Sequence, residues 1–360
     1  KKLRPDIRLV YISEKGGVLT DVLTGHAAID ATYSVRAGKF RRYKVDGWRQ
    51  AFNVPMQLLN VRDAIRLLIG IWQSYWLIRK LHPGVIFTRG GYVSVPVALG
   101  GKLNGVPFVT HDSDSTIGLA NRIIGRWAAV HAVGMDPTLY PYPKGSSVLV
   151  GVPASSEYER VTTKLQHSYR HDLGLRPDGK LLFVTGGGNG ASSLNQLVAH
   201  SAQKLLTRYP DLTIIHASGR SLETALNQLY DKLLDSGLRR RVLVKGFVLD
   251  MYRYTGAADV VIARAGASTL AELAIQGKAC VVIPASHLTW QVHQARTLAE
   301  HQAIMYLPES KAAVPNRLEE VVSDLLDDAS KRAELGNAMH SLAIPDAALR
   351  LAVLLLDQLR

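Results

Sequence analysis

Residues 181–206 read LLFVTGGGNGASSLNQLVAHSAQKLL. The apolar run at the start predicts a strand, and the apolar spacing after Ser193 predicts a helix over 193–208. Between them Gly186, Gly187, Gly188 and Gly190 mark a turn. A backbone of glycines can approach an anion closely and aim several N–H groups at it, while the helix that follows adds the positive end of its dipole. The Lys-Ser/Thr pair of a P-loop is missing, which argues against ATP hydrolysis, and the spacing is not G-x-G-x-x-G. Taken alone, the stretch fits either a phosphate cradle or a tight structural turn.

Working outward, the same alternation recurs. Before it, "IRLVYI", "ATYSV", "GVIFTRG", "PFVTHD", "AVHAVG" and "SSVLVG" predict short parallel strands, with helices over 56–81, 95–103 and 119–127. The opening "KKLRPDIRLVYIS" reads as the tail of a helix, a proline stop at Pro5 and a strand. From Gly151 a second series begins: "KLLFVTG", "LTIIHAS", "VLVKGF", "VVIARAG" and "ACVVIPA", with helices over 193–208, 221–235, 268–276 and 290–301. Strands alternating with helices predict α/β architecture, here two doubly wound domains meeting near residue 150. Such a pair leaves a cleft, with ligand loops at the carboxyl ends of the strands.

Three further groups carry polar side chains where loops are expected. In "VVIARAGASTLAELAIQG" a strand ends near Arg264, Gly266 turns the chain, and Ser268 or Thr269 is placed to cap a helix. Glu272 falls in the first turns of that helix, where a carboxylate can accept both hydroxyls of a ribose; a capping acid is the structural alternative. In "IPASHLTWQVHQA" Gln291 and Gln294 share a helix face at i, i+3 spacing, which suits sugar hydroxyls or a merely polar helix start. In "HDSDSTIGLAN" the residues His111, Asp112, Ser113 and Asp114 close a strand, and the spacing around them supplies too few ligands for a metal. A substrate-facing loop is the reading there.

The balance of the 360 residues is that of a globular protein, with 47% hydrophobic and 20% charged residues. The single cysteine, Cys280, excludes an internal disulfide and sits in an apolar run that predicts a buried strand. Charge is unevenly spread. Between Arg36 and Lys80 lie ten Lys/Arg (36, 39, 41, 42, 44, 49, 62, 66, 79 and 80) against Asp46 and Asp63, so this region carries eight of the net thirteen positive charges. Trp48, Trp72 and Trp76 fall in it too. Basic residues interleaved with large apolar ones suit an anionic membrane surface or nucleic acid, or a helix packed on a sheet with solvated charges. The run "LLIGIWQSYWLI" is too short to span a bilayer.

As a set, "GGYVSVP", "HDSDSTIGLAN", "LVGVPAS", "GGGNGASSLNQ", "RAGASTLAELAIQG" and "SLAIPDAALR" resemble the MurG family of glycosyltransferase family 28, in that family's order and spacing over nearly all the chain. The resemblance implies a GT-B fold whose last helix returns to the first domain, giving domains 1–150 plus 343–360 and 151–342. It implies inverting transfer of N-acetylglucosamine from UDP-N-acetylglucosamine to a lipid-linked muramoyl-pentapeptide in peptidoglycan synthesis, at the cytoplasmic face of the bacterial membrane. By position, Gly187, Gly188, Asn189 and Gly190 match the donor diphosphate loop and Glu272 the ribose ligand. Ala267 and Thr269 match contacts to sugar and phosphate, Gln291 and Gln294 the sugar-hydroxyl amides, and Asn121 a cleft asparagine on the donor. His111 matches the histidine of the acceptor loop, where Asp112 and Asp114 are candidates for acid/base work. Trp72, Trp76, Arg62, Arg66, Arg79 and Lys80 correspond to the membrane-association patch, which favours membrane over nucleic acid. No protein-bound metal is required, with Mg2+ on the diphosphate as the one ion to consider.

Three departures accompany the match. The family's first strand and Gly-Gly-x-Gly-Gly-His loop, which carries the family's proposed base, have no counterpart here, and this is read as an incomplete sequence. Ser155 stands where the family's "GNPVR" has an arginine, and Asp112-Ser113-Asp114 stands for Glu-Gln-Asn. Two rival readings follow: a related transferase with another glycolipid acceptor, and a non-catalytic protein that binds UDP-sugar.

Overall fold

The computed structural model describes residues 1–14, 27–39 and 54–359. Of the basic region, Arg41, Arg42, Lys44, Asp46, Trp48 and Arg49 therefore lie outside the described residues. The chain forms two compact units, Lys1–Val150 with Ala348–Arg360, and Gly151–Ala347.

In the first unit, β1 (Val10–Glu14) and β2 (Ala31–Val35) pair in parallel, Val10 opposite Ala31 and Glu14 opposite Val35. A separate parallel sheet runs β3 (Ile86–Thr88), β4 (Phe108–Asp112), β5 (Val130–Val133), β6 (Ser147–Leu149), in that order. Among the described residues β1 and β3 are not hydrogen-bonded neighbours, so the expected single sheet is two ladders. The opening residues also depart from expectation. They form no helix; Lys1 pairs with Asp30 at 2.5 Å, and the Leu9 amide donates to the same carboxylate, which draws the start of the chain to the foot of β2. The helix Val54–Leu81 packs along the helix Ser94–Leu103, where Gly100 leaves room for Ser74: a Cβ on Gly100 would lie 2.7 Å from that side chain. The closing helix, Ala347–Leu356, sets Leu351 among Val109, Val130, Ala132 and Val150 of this first unit.

The second unit holds one six-stranded parallel sheet in the order β12-β11-β10-β7-β8-β9. Its strands are β7 (Leu181–Thr185), β8 (Thr213–Ala217), β9 (Val242–Lys245), β10 (Val260–Ala263), β11 (Cys280–Val282) and β12 (Met305–Tyr306). A parallel sheet covered on both faces needs strands that are apolar throughout rather than alternating. β7 shows the division of labour: Leu182 and Val184 enter one core, Leu181 and Phe183 the other. β10 does the same with Val260 and Ile262 against Val261 and Ala263. Cys280 is fully buried in β11, and burial pushes its thiol up to about 12, so it acts as a small apolar filler.

Sheet order decides where a ligand can sit. Chain order reverses between β7 and β10, which are hydrogen-bonded neighbours with Ala263 opposite Thr185. At such a switch point the connections leave on opposite faces and open a crevice at the carboxyl edge. The glycine turn follows β7, and the segment bearing Glu272 follows β10. The two groups are thus adjacent although about 80 residues separate them in sequence.

Candidate functional site

The glycine turn is shaped by Gly187 and Gly190 and leaves the amides of Gly188 and Asn189 without a backbone acceptor among the described residues. Gly187 has φ +84° with nothing near its missing Cβ, so its conformation, not crowding, selects glycine. Gly190 has φ +74° and also no room, since a Cβ there would lie 2.0 Å from the Ser218 carbonyl oxygen. The turn is closed by Gly190 N–H donating to the Gly187 carbonyl at 2.9 Å and by Gly187 N–H donating to Thr185 Oγ1 at 3.1 Å. The helix that follows, Ser192–Arg208, has Ala191 at its N-cap and no side chain capping it. Its first amides are therefore open to an anion.

Beside the turn, the β10 connection starts a helix at Gly266 rather than at the expected Ser268 or Thr269. Gly266 is the N-cap of Ala267–Gln276, again without a side-chain cap. The hydroxyls of Ser268 and Thr269 are thus one and two residues inside the helix. Ala267 is buried and Thr269 half-buried. Glu272 is half-buried beside the Tyr158 hydroxyl. Burial raises its carboxyl to about 7, with partial relief from that hydroxyl, and Tyr158 is raised in turn by its own burial and by Glu272. A carboxylate that titrates near neutrality needs a further hydrogen-bond donor to be held ionised.

The third loop follows β11. Gln291 accepts from the Ala285 N–H through Oε1 at 3.1 Å, which folds the loop back on the helix Thr289–Glu300. Gln294 is buried on the same helix, and its Oε1 has no protein partner among the described residues. A buried amide oxygen without a partner calls for water or a ligand hydroxyl. Ser155 is exposed and donates to Glu157 at 2.9 Å.

The loop after β4 has another character. Asp112 is buried and accepts three hydrogen bonds: from Gly118 N–H at 3.2 Å, from Asn121 Nδ2 at 3.0 Å and from the Tyr142 hydroxyl at 2.7 Å. Asn121 is fully buried beneath Gly90 and also donates to the His111 carbonyl at 3.1 Å. Its amide nitrogen ties β4 to the helix Leu119–Ile124, and its Oδ1 has no partner among the described residues. His111 is 1% exposed, and its Nδ1 lies 3.2 Å from Ser113 Oγ. Asp114 is half-buried, and its carbonyl accepts from the Tyr140 hydroxyl at 2.9 Å. Of the three acid/base candidates, His111 and Asp112 are buried, and Asp112 with its three donors orders the loop.

On the helix Val54–Leu81 the exposed residues Val61, Ile65, Leu68, Trp72 and Trp76 recur every three or four positions. At about 100° per residue they fall within roughly an 80° arc. Leu68 is 68% and Trp72 65% exposed. Asp63, Ser74 and Ile78 are buried on the opposite side. Arg62 and Arg66 border the stripe and share the buried Asp63, while Arg79 and Lys80 end it. Among the described residues no helix is long and apolar enough to cross a membrane, and no group of three or more His, Cys, Asp or Glu could hold a metal ion.

Several rim residues carried no sequence signal. Tyr158 sits in an irregular segment, and only the structure brings it to Glu272. Phe247 lies 3.5 Å from where a Gly188 side chain would begin, and the Arg220 guanidinium stacks on its ring at 3.8 Å. Arg264 and Glu309 form a 2.7 Å ion pair across 45 residues.

Two Rossmann-like α/β units, one with a glycine turn beside the Glu272 carboxylate at its switch point, have the GT-B fold of glycosyltransferases. Residues 22–133 match the glycosyltransferase family 28 N-terminal domain and residues 181–351 the glycosyltransferase family 28 C-terminal domain, and the chain belongs to that family. It is 27% identical over 354 residues to UDP-N-acetylglucosamine–N-acetylmuramyl-(pentapeptide) pyrophosphoryl-undecaprenol N-acetylglucosamine transferase of Bacillus pumilus, covering 98% of this chain and 91% of that one. The enzyme of the same name from Bacillus subtilis is 26% identical over 353 residues, with the same coverage. The crystal structure of Acinetobacter baumannii MurG superposes with a TM-score of 0.67 at 21% identity, over 97% of this chain and 91% of that one.

Proposed function

We propose that this chain transfers N-acetylglucosamine from UDP-N-acetylglucosamine, with inversion, to the muramoyl-pentapeptide of a lipid-linked diphosphate in peptidoglycan synthesis. The observation that carries the reading is the switch-point rim: uncapped amides beside Glu272 and Gln291, in a chain similar along 98% of its length to transferases with that named reaction. The Gly188 and Asn189 amides, held between Gly187 and Gly190, and the start of the helix Ser192–Arg208 receive the diphosphate. Glu272, beside Tyr158, takes the ribose hydroxyls, whose donors hold its carboxylate ionised. Thr269 and Ala267 line the helix start, and Gln291 and Gln294 serve the hexose.

In the transfer, an acceptor hydroxyl attacks the anomeric carbon, the carbon–oxygen bond to the diphosphate breaks, and UDP leaves with the electron pair. Negative charge grows on the diphosphate, where oriented amides meet it with no cost of reorganisation. The hydroxyl proton passes to a base. In the described part of the acceptor-side loop Asp114 is the acid we assign to the acceptor, with Asp112 and Asn121 shaping the loop around it. No protein-bound metal is part of this scheme, and Mg2+ added from solution would sit on the diphosphate. The exposed stripe from Val61 to Trp76, bordered by Arg62, Arg66, Arg79 and Lys80, is placed against an anionic membrane surface, so that the chain works as a peripheral protein at the cytoplasmic leaflet.

The test is transfer itself. The protein is incubated with UDP-N-acetylglucosamine and a panel of lipid-linked and glycolipid acceptors, and products are read by mass. One added N-acetylhexosamine on the muramoyl-pentapeptide lipid alone is the expected result. Addition to a different glycolipid would move the assignment to that acceptor, and donor binding without any product would make the chain a non-catalytic UDP-sugar-binding protein.

A further inference from the structure

A cluster at the rim joins four strand ends and has no part in the scheme above. Arg264, just past β10, donates through Nη1 to the Ile283 carbonyl at 2.9 Å and through Nη2 to Ser193 Oγ at 2.6 Å and Glu309 Oε1 at 2.7 Å. Ser193 Oγ donates to the same Glu309 oxygen at 2.7 Å. The other oxygen, Oε2, accepts from Ser286 N–H at 3.3 Å and Ser286 Oγ at 3.0 Å. The guanidinium is 7% and the carboxylate 20% exposed. Partial burial works against the charge of Glu309, yet the donors from Arg264, Ser193 and Ser286 overcome it and bring the carboxyl down to about 2. The Arg264 Nε–H is buried with no partner among the described residues.

The two loops that this carboxylate grips are the ones that differ in what they are assigned to hold. Ser193 lies three residues after Gly190, on the phosphate side. Ser286 follows Ala285, whose N–H is bonded to Gln291, on the hexose side. The phosphate turn keeps its shape without Glu309, because Gly190 is seated against Ser218 and Gly219 and bonded to Gly187. The loop bearing Ser286 has no comparable glycine seat. It is closed by Leu288 N–H donating to the Ala285 carbonyl at 3.0 Å and is held in place by Gln291 at Ala285 and Glu309 at the adjacent Ser286.

We infer that Glu309, paired with Arg264, is a positioning residue that sets the spacing between the phosphate turn and the Gln291 loop and so governs recognition of the sugar rather than of the nucleotide. The inference rests on the donor reading above. Its test is calorimetric titration of UDP and of UDP-N-acetylglucosamine into the wild-type protein, Glu309→Ala, Glu309→Gln and Arg264→Lys. Loss of one buried charge-assisted network predicts that Glu309→Ala weakens UDP-N-acetylglucosamine by about tenfold or more while UDP stays within about twofold. In the transfer assay the same variant raises KM for the donor more than it lowers kcat. Glu309→Gln, which keeps the size and one acceptor oxygen, gives the same split in smaller measure and decides the matter if the alanine variant does not fold. Equal loss for both ligands, or no loss for either, would overturn the positioning role. A wild-type protein that binds neither ligand would instead remove the donor reading, and the positioning role with it.

Discussion

The rim of the second unit and the loop closing β4 in the first both gather carboxylates, amides and glycines at a strand end, and they use them in opposite ways. At the phosphate turn and the helix starts beside it the backbone does the shaping. Gly187 and Gly190 hold the turn by their φ angles, two helix starts lack side-chain caps, and the side chains of Glu272 and Gln294 keep capacity to spare. At the β4 loop the side chains do the shaping: Asp112 takes three hydrogen bonds and Asn121 gives two. Ligand capacity follows what the fold has left unspent, not the mere presence of acids and amides.

Four variants sharpen or break this contrast. The largest effect is expected from Gly190→Ala. The new Cβ would lie 2.0 Å from the Ser218 carbonyl in a left-handed conformation, so a loss of about 3 kcal/mol or more is expected in a denaturant melt, along with loss of UDP binding. Asp112→Ala comes next. It strands buried donors on Asn121 and Tyr142 and should cost about 2–4 kcal/mol, while UDP affinity stays unchanged. A variant that kept its stability and lost only turnover would return Asp112 to the acid/base role.

The third prediction concerns pH. The folded carboxyl of Glu272 is raised by burial to about 7, so the stability it contributes is whole below the ordinary carboxylate range and is lost as pH rises through about 7. Glu272→Gln should therefore melt higher than wild type at pH 8 and close to it at pH 4. Ligand hydroxyls donate to the ionised form, so UDP affinity in the wild type should rise between about pH 6 and pH 8 and lie flat in the variant. The smallest effect on fold or catalysis is expected from Trp72→Ser with Trp76→Ser. Solution transfer to a short-chain acceptor should be unchanged within about twofold. Co-sedimentation with anionic phospholipid vesicles should fall several-fold, since two large exposed apolar groups are removed.

The legible parts of the sequence were those where local chemistry alone decides. Continuous apolar runs such as LLFVT and VVIA read as buried parallel strands, and the glycines after β7 read as a turn with amides to offer, because neither depends on distant partners. Glu272 was legible as a carboxylate just after a switch-point strand, while its contact with Tyr158 was not, since the 151–162 segment has no periodicity to place it. The helix start at Gly266 was misread because Ser268 and Thr269 carry the stronger capping propensity and the packing of Ala267 overrides it. The helices Thr163–Asp172 and Met251–Ala257 were missed because neither carries a clear apolar stripe, and β12 because it is two residues long. The role of Asp112 was read from its place in the loop, which gives position along the chain and not which lone pairs the fold has already used. Glu309 carried no signal at all: an acid after Pro308 means nothing until β12 brings it to Arg264.

The most direct test of the central claim, that the β7–β10 rim is a UDP-sugar site built around Glu272, is a pair of titrations with UDP-N-acetylglucosamine at pH 8, into wild type and into Glu272→Ala, with UDP-glucose as control. Binding is expected to prefer the N-acetylated sugar and to weaken by about tenfold or more in the variant. Equal affinity in the two proteins, with both shown folded by circular dichroism, would contradict it and leave the turn at 186–190 as a turn and nothing more.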